Sequence, residues 1–144
     1  MPQLHVSSRG RSPASRRVAG SAVLAAVLAA AVLPYLSAYL AKAGAYGPRD
    51  NAAPREWASR QSGWRSRANA AQANGFEGLP LFIGAVVIAH QLGAAQGRID
   101  LLACAYVVLR VLYVGLYVAG AGGLRSAVWA LGFAVNVAIL FAGR

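Results

Sequence analysis

The sequence is poor in acid, in cysteine and in charge of any kind. Of 144 residues only Asp50, Glu56, Glu77 and Asp100 are acidic, and 12% carry charge at all. An ordinary soluble domain carries about a quarter, so this chain lacks the surface it would need to dissolve in water. Its single cysteine, Cys104, excludes an intrachain disulfide framework and any cysteine-based metal cluster. The sequence offers no metal-ligand spacing, no phosphate-cradling glycine loop and no Ser/His/Asp arrangement. What is present is apolar: 58% of the residues, with a mean hydropathy of +0.49, drawn out between clumps of charge. So much apolar surface excludes a disordered chain. No stretch is left over to build a soluble core beside an anchor. A small polytopic membrane protein accounts for both the deficits and the excess.

The formal charge is +10, from 14 Lys and Arg. These residues flank apolar runs rather than forming one patch, so anionic headgroups are the expected partner and nucleic acid is not. A positive site also favours anionic ligands. Residues 1–17 hold Arg9, Arg11, Arg16 and Arg17 and no acid, and are expected to be a basic disordered tail. Residues 18–144 are then one transmembrane domain. Its first span, 18–41, is long enough to cross about 30 Å of hydrocarbon. Pro34 inside it is expected to kink the helix rather than end it. Arg16-Arg17 before an apolar run also resembles a secretory or twin-arginine signal, but the run exceeds the roughly 7–15 residues of a signal core, so the helix is expected to stay.

A charged linker with Trp57 and Trp64 follows. Then comes a helix-compatible segment, polar at first and apolar from Leu79, giving a second span at about 68–93. The third runs over 101–121, ended by Gly120, Gly122 and Gly123, and the fourth over 126–143. The expected fold is therefore all-α, a four-helix transmembrane bundle with up-down-up-down order. Its many small residues favour close packing or an oligomer. Orientation stays open, with six basic residues at one end and seven at the other.

The polar residues inside the spans carry the functional argument. An arginine at the centre of a span costs about 2.5–3.5 kcal/mol on insertion scales, and Arg110 is central in the third. Glu77 is the acid expected to compensate it. Asn74 and Glu77 share a face of the second span, with Arg67 two turns earlier. Arg110, Tyr113 and Tyr117 form a stripe on the third. A structural Glu77–Arg110 ion pair is the plain reading, and the stripes hold more polar groups than such a pair requires. His90 is expected to be satisfied or interfacial, Cys104 a buried apolar residue, and Asn136 the donor or acceptor of an interhelical hydrogen bond.

The segments R67-A-N-A-A-Q-A-N74-G-F-E77-G-L-P80-L-F82 and R110-V-L-Y113-V-G-L-Y117, with Arg125, resemble MAPEG proteins (membrane-associated proteins in eicosanoid and glutathione metabolism), bacterial members most closely. The resemblance implies a homotrimer, set in a bacterial inner membrane among its lipids, binding glutathione between subunits. It implies a glutathione-dependent transferase or peroxidase acting on lipophilic electrophiles or lipid hydroperoxides; the alternative is a non-catalytic lipid-binding or scaffold protein of the same fold. Carried over, Arg67, Gln72, Asn74, Glu77, Arg110, Tyr113 and Tyr117 would contact glutathione, and Arg125 would activate its thiol. One departure is Ala70, where many eukaryotic members have a second arginine; Arg65 is the expected substitute.

Overall fold

The structure, a computed structural model, describes the backbone of residues 13–144 and the side chains from residue 22 onward. The expected basic tail therefore lies outside the described residues as far as residue 12. The elements are α1 (Pro13–Lys42), a 3-10 helix (Pro48–Ala52), the short α2 (Pro54–Ser59), α3 (Gly63–Gln91), α4 (Gln96–Ala119) and α5 (Gly122–Leu140). Among the described residues there is no strand. α1, α3, α4 and α5 are each long and apolar enough to cross a membrane.

The bundle is built inside out relative to a soluble protein. Leu24, Leu28, Leu36, Leu101, Val108, Leu124 and Leu131 lie on its outer surface, where hydrocarbon is the solvent. Between the helices sit small residues, among them Ala30, Ala71, Ala85, Ala89 and Ala103, which let backbones approach closely. The stacked rings of Phe82 and Tyr106, 4.2 Å apart, join α3 to α4. α1 runs unbroken through Pro34. At that point Gly75 of α3 meets it so closely that an added Cβ would stand 2.7 Å from the proline ring. α3 and α4 touch each other and both of the flanking helices, while α1 and α5 make no contact among the described residues.

Three hydrogen bonds tie the helix ends into two polar caps. Arg65 donates to the Ala43 carbonyl at 3.0 Å and Arg67 to that of Val118 at 2.9 Å, joining the end of α1, the start of α3 and the end of α4. At the opposite cap Arg98 donates to the Ala142 carbonyl at 3.2 Å. The linker is itself structured: Trp57 is buried, meets Tyr46 edge-on at 5.1 Å and donates to the Ala45 carbonyl. Trp64, more open to the surroundings, packs under Arg65.

Two sequence expectations need correction. Cys104 is exposed on the outer face of α4, because the buried face of that helix runs through Ala103, Tyr106, Arg110 and Tyr113. The Glu77–Arg110 ion pair is not formed. Among the described residues the one salt bridge is Arg60–Glu56 in the linker.

Candidate functional site

Helix periodicity brings the two polar stripes together. On α3, Asn74 and Glu77 lie one turn apart; on α4, Arg110, Tyr113 and Tyr117 follow one another at helical spacing. Arg110 donates through Nη1 to Asn74 Oδ1 at 3.0 Å. Asn74 in turn offers Nδ2 to Glu77 Oε2 over a long 3.5 Å. The amide thus stands between the two charges where the sequence suggests a direct pair. Glu77 lies one turn farther along α3 and remains exposed.

From Arg110 the contacts continue through aromatic rings. Its guanidinium lies 4.5 Å from the centre of the Tyr113 ring, and Tyr113 meets Tyr117 edge-on at 5.5 Å. Arg125, in the first turn of α5, covers Tyr117 at 4.2 Å. Glu77, Asn74, Arg110, Tyr113, Tyr117 and Arg125 therefore form one unbroken series across three helices. Cationic charge on an aromatic face is attractive, by about 0.5–2 kcal/mol depending on desolvation.

This series borders a cleft of about 200 Å³ between α3, α4 and α5. Asn74, Glu77, Arg110 and Tyr113 form its polar wall, and Trp129 and Phe133 of α5 lie opposite with half their surface open. A second recess of about 190 Å³ adjoins it, bounded by Asn74, Tyr113, Arg125 and Ser126. Arg110 is only 7% exposed, and its Nη2 has no hydrogen-bond partner. A buried guanidinium with spare donors and no carboxylate on it is a strong attractor for an acidic group.

A statistical description of the MAPEG family matches residues 22–143, most of the chain. The chain belongs to the MAPEG family. No curated protein and no solved structure matches it significantly. MAPEG membership, together with four apolar helices, makes it an integral multi-pass membrane protein. The MAPEG family generally uses glutathione, and includes glutathione transferases and peroxidases beside members that do not catalyse.

Not every residue singled out from the sequence meets the cleft. Gln72, about 200° around α3 from Asn74, is half-buried and lines neither recess. Arg67 is engaged through Nε at the end of α4 and Arg65 through Nη2 at the end of α1, and neither lines the cleft. Asn136, 3% exposed, lies beside the Tyr106 hydroxyl, with its Oδ1 unpartnered. Sequence reasoning missed Tyr106 as part of the cleft wall, although its position four residues before Arg110 continues the same stripe. Gly78 makes room for it: an added Cβ there would stand 3.1 Å from the tyrosine oxygen. Trp129 and Phe133 were missed as well, although helical spacing sets them on the face of α5 that carries Arg125 and Asn136.

His90 accounts for itself. One ring nitrogen faces the Val86 carbonyl and the other Gln96 Oε1, each at 2.9 Å, and Gln96 passes on to Asp100 at 2.9 Å. Among the described residues no group of His, Cys, Asp and Glu could hold a metal ion.

Proposed function

We propose that this protein is a membrane-bound enzyme that activates glutathione and turns its thiolate on lipophilic electrophiles or lipid hydroperoxides held in the bilayer. The observation that carries this reading is Arg110, buried in the span, bonded to a neutral amide and left with a free donor beside an accessible cleft. Such a group accepts a carboxylate through forked hydrogen bonds. Glutathione supplies two carboxylates, an ammonium and a thiol. Arg110 and Asn74 would hold an acidic end, and the exposed Glu77 the ammonium. Tyr113 and Tyr117 would wall the site. Family resemblance adds a homotrimer in which a neighbouring subunit closes it, and Gln72, remote from this protomer's cleft, would act in that interface.

Activation falls to Arg125. A free thiol titrates near 8.5, and lowering it by about two units requires roughly 2.7 kcal/mol of differential stabilisation. A guanidinium in a partly desolvated recess supplies energy of that order. The thiol proton leaves to water, sulfur bonds to the electrophilic carbon, and the leaving group departs with its electron pair. With a hydroperoxide, sulfur attacks oxygen and the O–O bond breaks. A second thiol then completes a disulfide, so that alcohol and water are released. The open flank at Trp129 and Phe133 lets an acceptor enter from the lipid, which gains proximity by partition into the same layer.

Titrating the detergent-solubilised protein with glutathione at neutral pH tests the proposal. Thiolate absorbance in the ultraviolet should rise with saturation, and Arg125→Ala should abolish the rise. No rise in the unmutated protein overturns the reading and leaves the non-catalytic, lipid-binding alternative.

A further inference from the structure

The turn that delivers Arg125 is built from loose material. Gly120, Gly122 and Gly123 fall within four residues, and glycine backbones resist ordering more than any other. The amide of Arg125 donates to the Ala121 carbonyl at 2.9 Å, starting α5 directly out of that turn. Any latitude in the turn passes straight to the Arg125 guanidinium. Yet the turn is well closed. The last four carbonyls of a helix lack partners within it, and here three of them receive donors. Ala121 N–H donates to Leu116 at 3.0 Å and Gly120 N–H to Tyr117 at 3.1 Å. The next carbonyl, Val118, receives Arg67 Nε at 2.9 Å from a residue 51 positions earlier in the chain.

Arg67 also lies against the turn itself. Its Cζ and Nε stand 3.5 Å from where a Cβ of residue 120 would be, and Gly120 has a φ of +83°. The left-handed backbone favours glycine there, and the guanidinium lies within van der Waals reach of the turn. Positive charge at the end of α4 further complements the helix dipole. One helix, α3, thus sets Arg110 through Asn74 and the α4–α5 turn through Arg67.

We infer that Arg67 is a positioning residue for Arg125: it locks the glycine turn and thereby holds the Arg125 guanidinium over Tyr117, where the thiol is activated. The inference rests on the reading of Arg125 given above. It reassigns Arg67, which the family resemblance would make a direct glutathione contact. Lysine cannot stand in, because it offers neither an Nε–H in the side-chain plane nor a flat face for Gly120.

The test compares the unmutated protein with Arg67→Lys and Arg67→Ala, measuring glutathione affinity by calorimetry and the thiolate absorbance of the bound ligand against pH. Positioning predicts that the thiol's titration midpoint rises by about one pH unit in both variants. Affinity measured well below the midpoint should change less than about threefold. A direct contact predicts the reverse, an affinity loss of about tenfold or more with the midpoint unmoved, and that result overturns the inference. Should the Arg67 variants fail to fold, Gly120→Ala disturbs the same turn from its other side; an unchanged midpoint there also overturns it. If the unmutated protein forms no thiolate, the functional reading fails separately. Hydrogen exchange at the Arg125 amide still decides the turn, since locking predicts faster exchange in Arg67→Ala and equal exchange refutes it.

Discussion

The two ends of the bundle use similar residues to different effect. At the end holding His90, polar groups consume one another: His90 faces a carbonyl and Gln96, Gln96 meets Asp100, and Arg98 closes on Ala142. The groove beside it is walled mainly by Val23, Leu24, Val27, Val86 and Val87. At the other end the groups are linked but not exhausted. Arg110 keeps a free donor, Glu77 stays exposed, and Arg125 rests on a ring rather than on a carboxylate. Buried polar groups in proteins are normally satisfied. Unspent hydrogen-bonding capacity beside a cleft is what the proposed glutathione site would draw on, whereas the closed network is a structural fastening.

Substitutions at the two ends should separate sharply. Arg125→Ala should cost the most, lowering conjugation of a generic lipophilic electrophile by about 100-fold or more, the scale of removing one charge-stabilising donor; steady-state kinetics in detergent would show it. Asn74→Ala comes next. It strips Arg110 of its hydrogen bond, so thermal unfolding should show a loss of about 1–3 kcal/mol, with glutathione binding at least about tenfold weaker. Glu77→Ala should weaken binding less, by about 1 kcal/mol, since Glu77 is exposed; unchanged affinity would remove it from the ammonium site. At the far end, His90→Ala should cost about 1 kcal/mol of stability and leave conjugation within about twofold. Comparable losses of activity at both ends would erase the distinction.

Much of the architecture was legible because a bilayer imposes a simple demand. A helix must present enough apolar residues to cross, and the four runs stand out against a chain with little charge. Their starts were less legible. α3, α4 and α5 begin four or five residues ahead of the expected spans, at Gly63, Gln96 and Gly122, because hydropathy marks the hydrocarbon layer while a helix continues into the headgroups. Spacing placed Asn74 with Glu77 and Arg110 with Tyr113 and Tyr117, since 3.6 residues per turn fixes shared faces. It could not show what Arg67 reaches: that arginine lies on the Asn74 face as spacing assigns it, and its side chain meets the end of α4. Nor could it choose between Glu77 and Asn74 as the neighbour of Arg110. Opposite charge suggested one, and the register between the helices selected the other.

Arg110 is a party wall. On its α5 side lies the cleft; on its α1 side it bounds a small void with Ala30, Leu33 and Pro34. No α1 side chain lines the cleft, yet enlarging Leu33 would press on the guanidinium from behind and be felt as a change in ligand affinity. A flanking helix with no side chain in the cleft thereby becomes a tuning screw for it.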